Sequence, residues 1–311
     1  MRSRRTALLL LEVLGVLLMV GGPASAQLAP SPRAVHHIHG LALDRRDPEV
    51  LYIATHTGLV RIRPGAAVEW IGSGFDLMGF TAHPTAANLV YASGHPDLAT
   101  YQKQKVGNLG LLLSRDGGKT WQSVTLRGEA DFHALAYSPG GGGALYGWSV
   151  AVQPGLYRIS AVRWTVEPVP ARGLSDVLAL AASPDPAGPL LAGTKAGLMM
   201  SRDRGLTWAR VPSVPADRPV TAVSYHPTDG ARAYAYAARA DAGLIRSQDA
   251  GSTWAPTGFV TDVQVPVVAL TVGPGGHVAV ATSRSDVLRS RDGGRTWQAV
   301  LERGGPAAGV R

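Results

Sequence analysis

SRDGGKTW (114–121), SRDRGLTW (201–208), SQDAGSTW (247–254) and SRDGGRTW (290–297) are four copies of one eight-residue pattern, S-x-D-x-G-x-T-W. Their aspartates, Asp116, Asp203, Asp249 and Asp292, stand 87, 46 and 43 residues apart, so the first gap is about two of the later periods. The tryptophans Trp70, Trp121, Trp164, Trp208, Trp254 and Trp297 step by 51, 43, 44, 46 and 43 residues and fill that gap. Of the seven tryptophans, only Trp148 falls outside the series. A period in the forties with strand-like content marks an array in which each unit buries its apolar face only against a neighbour.

The residue types of the pattern have a local logic. Asp and Ser side chains satisfy turn amides, Gly takes a positive φ, and Trp opens the next strand as a large apolar anchor. A carboxylate engaged by its own turn has little left to offer a substrate, so all four aspartates read as structural. Ahead of each pattern comes a strand start, Gly58-Leu59, Gly110-Leu111, Gly155-Leu156, Gly197-Leu198 and Gly243-Leu244, with Asp286-Val287 as the sixth. Further upstream are alternating apolar stretches that end near a proline: HGLALDRRDP, MGFTAHP, HALAYSP, LALAASP, TAVSYHP and VALTVGP. With the short strand that follows each, every repeat holds four strands. The expectation is an all-β, six-bladed β-propeller over 36–302, with the six serial tryptophans at equivalent buried positions.

The N-terminus, MRSRRTALLLLEVLGVLLMVGGPASA, has Arg2, Arg4 and Arg5 before an apolar run and a small-residue ending at Ala26, the form of a secretory signal peptide. An uncleaved membrane anchor is the alternative, because the run is near the short limit for spanning. Residues 27–35 then read as a linker and 303–311 as a frayed tail, and the mature chain is expected to be secreted or periplasmic. Loss of 1–26 takes the formal charge from +8 to +6, and no basic run interleaved with aromatics supports nucleic-acid binding. The chain has no cysteine, so its stability rests on the core and on ring closure instead of disulfides.

Aligning the six inner strands on their prolines, with a three-residue insertion before Pro48, places His39, Met78, His133, Leu178, Thr221 and Val268 at one position. Two residues earlier stand His37, Asp76, Asp131, Asp176, Pro219 and Pro266. The loops between second and third strands add His56 and His95 on the same side, so the mouth over blades 1–3 is polar and histidine-rich. His37, His39 and His133 are candidate ligands of a transition metal, with Met78 inclining the choice toward copper. Asp76 and Asp131 are candidate catalytic carboxylates for glycoside hydrolysis. His37, His39, His56, His95, Asn108, His133 and Trp148 are the candidate ligand-binding set. Asn108 comes from a long blade 2 excursion with Tyr101, Lys103 and Lys105, and Trp148 offers a stacking face for a sugar. The expected ligand is a glycan or a protein. His83 and His226, in His-Pro turns at the other end, read as turn caps.

The repeat resembles the Asp-box, or BNR, repeat of sialidases, other glycoside hydrolases and photosystem-assembly propellers. Through HIHGLAL, ATHTGL, MGFTAHP, SGHP, NLGLLLSRDGGKTW and DFHALAYSP, the chain resembles small secreted bacterial Asp-box proteins described as glycosyl-hydrolase-like. That resemblance implies a sialidase-superfamily propeller. Sialidases clamp a carboxylate with three arginines and use a Tyr-Glu pair. Here His36-His37-Ile38-His39 replaces the Arg-Ile-Pro entry, and mouth arginines are limited to candidates such as Arg239 and Arg284. An enzyme requires two carboxylates facing across a pocket with a perturbed pKa. A binding or assembly propeller, with or without a metal site, does not.

Overall fold

The structure, a computed structural model, describes residues 33–238 and 242–307. The signal-peptide reading of 1–26, most of the 27–35 linker, Arg239 and the last four residues lie outside those described. Six antiparallel sheets follow one another along the chain, each with its strands in sequence order. Their innermost strands are Ile38–Leu43, Asp76–Ala82, Phe132–Ser138, Val177–Ala182, Val220–His226 and Val267–Val272. Neighbouring inner strands pack around a common axis, and the first meets the sixth, so the sheets close into a six-bladed propeller. Five blades have four strands. The sixth adds Gly305–Pro306 on the edge of Gln298–Glu302, so the sheet runs beyond residue 302, where the sequence suggested a tail. Val35 is fully buried and its N–H donates to the Gly304 carbonyl at 2.8 Å, so the end of the expected linker is instead built into the ring.

The hydrophobic core is divided among the six interfaces between blades, with one buried cluster at each. Each serial tryptophan packs on the cluster shared with the preceding blade: Trp121 between blades 1 and 2, Trp208 between 3 and 4, Trp70 between 6 and 1. Equivalence holds, but full burial holds only for Trp208, at 6 % exposure, and the other five are half-buried. The third-strand residues Leu59, Leu111, Leu156, Leu198, Leu244 and Val287 are at most 1 % exposed. Burial of such side chains, at about 1.5–3 kcal/mol each, is the main cohesion of the ring. An ion pair reinforces the seam, as Glu49 of blade 1 receives Arg289 at 2.8 Å and Arg291 at 2.7 Å from blade 6.

The four S-x-D-x-G-x-T-W turns share one hydrogen-bond pattern. In the first, Ser114 Oγ donates to Asp116 Oδ1 at 2.8 Å, and Thr120 donates its N–H to Oδ1 at 2.9 Å and its hydroxyl to Oδ2 at 2.6 Å. These bonds from Thr120 hold the Asp116 carboxyl at about 2, below the usual range, and Asp203 and Asp249 match it. The box glycine needs φ near +89°, and a Cβ on Gly118 would lie 2.1 Å from Leu59 Cδ2 of the blade before. Each box is therefore both a turn and a docking point.

Every inner strand has a β-bulge at its entry, and the extra residue is His39, Met78, His133, Leu178, Thr221 or Val268. These are the six residues that the sequence alignment places together. A bulge re-aims a side chain, here at the same point in all blades. The next residue is always Gly or Ala, because a Cβ on Gly40 would lie 2.7 Å from Phe80 Cβ and one on Gly79 2.4 Å from the Phe132 carbonyl. Only small residues fit where inner strands converge.

Candidate functional site

Asp76 begins the inner strand of blade 2 and pairs in register with His95 at the end of the second strand. Their close approach depends on Gly94, where a Cβ would lie 1.8 Å from the Asp76 carbonyl oxygen. His95 Nδ1 lies 3.1 Å from Asp76 Oδ2. Its other nitrogen, Nε2, lies 3.4 Å from Asp131 Oδ2, at the entry to blade 3. That entry is pinned to blade 2, since the Phe132 N–H donates to Ser93 Oγ at 3.0 Å.

The row extends both ways. His133 Nε2 lies 2.9 Å from Asp131 Oδ2, and His56 Nδ1 lies 2.8 Å from Asp76 Oδ1. His56 is held in a tight turn in which Thr55 Oγ1 donates to the Gly58 carbonyl at 2.8 Å and accepts the Thr57 N–H at 3.1 Å. His56, Asp76, His95, Asp131 and His133 thus form an alternating imidazole–carboxylate chain across three blades. Burial would raise the Asp131 carboxyl, but hydrogen bonds and charge from His133 and His95 outweigh it, and the group stays below the usual carboxylate range.

His39 stands beside this chain. Its ring meets that of His56 edge-on at 4.4 Å, and His37 meets the same ring at 5.0 Å. Burial, reinforced by the neighbouring His56, lowers His39 to about 4, so it is a neutral imidazole at neutral pH. One ligand atom from each of His39, His56 and Asp76 lies within 4.8 Å of the other two. Within this trio, His39 Nε2 and Asp76 Oδ1 are buried without a hydrogen bond; the close His56 nitrogen is not aligned to donate one.

The mouth residues predicted from sequence are therefore gathered unevenly. His39, His56, Asp76, His95, Asp131 and His133 come together. Of the metal trio His37, His39 and His133, only His39 belongs to the group with ligand geometry; His37 lies against His56 on the exposed side, and His133 is engaged by Asp131. Asp76 and His56 supply what that trio lacked, and their signal was present in the two loop sets. Trp148 is half-buried against the interface of blades 3 and 4 and packs there. Asn108 accepts the Gly128 N–H through its backbone carbonyl at 2.9 Å. The blade 2 excursion forms a helix, Leu98–Gln104, capped by Asp97, with Gln104 bonded to Arg127 on the loop leading to Asp131. In blade 4, Asp176 occupies the place of Asp76, but its neighbour is Lys195 at 3.3 Å.

Among known proteins, the BNR/Asp-box repeat family matches residues 112–123. No curated protein matches the sequence significantly. An ancestral GH74 enzyme is similar in fold with a TM-score of 0.55 at 16 % identity, over 87 % of this chain and 39 % of that one. YCF48 bound to a D1 peptide gives 0.52 at 14 % identity, over 82 % and 92 % of the two chains. A nidogen/laminin complex gives 0.61 at 10 % identity, over 80 % and 91 %. This chain thus spans about two fifths of the GH74 enzyme, and at such identities the likeness is one of fold. The chain is a six-bladed β-propeller in which residues 112–123 match the BNR/Asp-box repeat.

Proposed function

We propose that this propeller is an extracytoplasmic binding protein that holds a divalent transition-metal ion at the mouth over blades 1–3, with His39, His56 and Asp76 as ligands. The supporting observation is one cluster of three ligand atoms, from His39, His56 and Asp76, in which the buried His39 Nε2 makes no hydrogen bond and Asp76 Oδ1 has only the His56 nitrogen at 2.8 Å beside it. A buried polar atom without a hydrogen bond is costly, and a cation satisfies the His39 nitrogen and the carboxylate oxygen at once. Tetrahedral ligands at about 2.0–2.1 Å from an ion stand about 3.4 Å apart, so modest rotation of the exposed His56 closes the cluster. Imidazole ligands favour the zinc and copper class over magnesium or calcium. His95, Asp131 and His133 then act behind the ligands and fix Asp76 through its second oxygen. The ligand, a glycan or a protein, meets the ion at the mouth beside the exposed helix 98–104. Placement outside the cytoplasm rests on the leader-like residues 1–26, and intact-mass analysis of exported protein tests it.

Hydrolysis through Asp76 and Asp131 fits less well. The two carboxylates flank His95, and an acid catalyst needs a carboxyl group held protonated, whereas Asp131 is held ionised. Calorimetric titration of Zn(II) and Cu(II) into chelator-stripped full-length protein tests the binding reading. The expected result is one ion per chain, lost in the His39→Ala/His56→Ala double variant. Absence of stoichiometric binding, or binding that the double variant leaves unchanged, overturns it. Turnover of fluorogenic glycosides that Asp131→Asn abolishes installs the hydrolase instead.

A further inference from the structure

The central channel runs from His39 and His133 at the mouth to Arg45 and His226 at the opposite end, the end of the Asp-box turns. The far end is built from a feature of blade 1 alone. There the inner strand is followed by Asp44-Arg45-Arg46-Asp47-Pro48, where the other blades turn at once through a proline. Asp44 organises this longer turn: Oδ1 accepts the N–H groups of Arg46 at 2.8 Å and Asp47 at 3.1 Å, and Oδ2 accepts the Tyr52 hydroxyl at 3.1 Å. Arg45 is directed inward, and its Nε donates to the His83 carbonyl at 3.1 Å.

Two donors at this end have no partner. Arg45 Nη1 and His226 Nε2 are buried and make no hydrogen bond among the described residues. His226 is 4 % exposed. Its Nδ1 accepts the Thr228 N–H at 3.3 Å, which leaves Nε2 as the protonated, donating nitrogen. His83 is arranged alike, with Nδ1 accepting from Thr85 and Ala86. The nearby carboxylates are engaged elsewhere: Asp44 in its turn, and Asp229 by Arg232 at 2.6 Å. Arg289 provides the contrast, since that buried guanidinium has Glu49 at 2.8 Å. Burial lowers Arg45 to about 10, outweighing the opposing charge of Asp44 on the same turn.

We propose that this end of the channel is a binding site for a small oxyanion, held by the Arg45 guanidinium and the His226 Nε2–H with His83 alongside. Guanidinium N–H groups match the oxygens of phosphate, sulfate or a carboxylate, and the bond is strongest where water is excluded. The whole channel, from mouth to far end, offers about 140 Å³, which admits waters or one such anion. The site is separate from the histidine mouth and stands whether or not that mouth binds metal.

The test is calorimetric titration of full-length protein with inorganic phosphate, sulfate and acetate, each to 10 mM, at constant ionic strength. One equivalent of phosphate or sulfate is expected to bind, with acetate at least tenfold weaker if the site takes a tetrahedral oxyanion and comparable if it takes a carboxylate. Arg45→Gln should weaken binding at least tenfold, as should His226→Phe. If Arg45→Gln fails to fold, Arg45→Lys keeps the charge but loses the guanidinium fork, and the same weakening is expected of it. Saturable binding of none of the three anions, or binding that survives both the Arg45 and His226 substitutions, overturns the proposal.

Discussion

Asp116 and Asp131 lie close in sequence but spend their carboxylates in opposite ways. Asp116 is satisfied within its own turn by Ser114 and Thr120, and its copies Asp203, Asp249 and Asp292 repeat the arrangement in other blades. Asp131 holds His133 from its own strand but also faces His95 of blade 2, and Asp76 faces His56 of blade 1 and His95 of the adjacent strand. A carboxylate all of whose partners lie within four residues serves the fold and is repeatable. One whose partners come from across the ring is unique to its place, and chemistry becomes available there.

The contrast is most easily broken at the repeat. Trp208→Ala should cost about 3–5 kcal/mol, because a buried aromatic leaves a cavity at the interface of blades 3 and 4. Urea unfolding measures this, and the half-buried Trp70 should cost less when replaced. A midpoint for Trp208→Ala equal to wild type would detach the tryptophan series from stability.

At the mouth the order of effects should reverse. Asp76→Asn should weaken metal binding more than about 100-fold, beyond the range of changes one layer out, while leaving the unfolding midpoint nearly unchanged. Asp131→Asn acts one layer out, through His95 and His133, and should weaken the metal by about 10–100-fold. Equal losses for both variants would erase the distinction between ligand and support.

Acid sharpens the structural half of the comparison. Glu49 is held at about 2 by its hydrogen bond with Arg291 against an ordinary 4.5, and Asp116 at about 2 by Thr120 against 3.8. With folded values depressed, the unfolded chain takes up protons first, so stability present above about pH 4.5 falls as pH drops toward 2. Glu49→Gln should flatten part of that fall and loosen the seam between blades 6 and 1. These groups are largely exposed, so solvent screening keeps each contribution small. An acid transition unaltered by Glu49→Gln would remove the ion pair from the closure of the ring.

The sequence alone determined the number of blades, their four repeating strands and the structural role of the box aspartates. Those features are set by short-range patterns: alternation along a strand, a turn closed within four residues, and one tryptophan per period. Even the bulge positions His39, Met78 and His133 were legible, because the repeat aligns them. Tertiary structure alone decided which imidazoles come together. His37 and His133 are as well placed in the alignment as His56, yet among the described residues the group whose ligand atoms all lie within 4.8 Å of one another is His39, His56 and Asp76. It also decided that Arg45, an unremarkable residue of an inserted turn, enters the channel opposite His226. Alignment gives the height of a residue within its blade, but contact also depends on the angle between blades and the direction a bulge imposes. Those quantities exist only once the ring has closed.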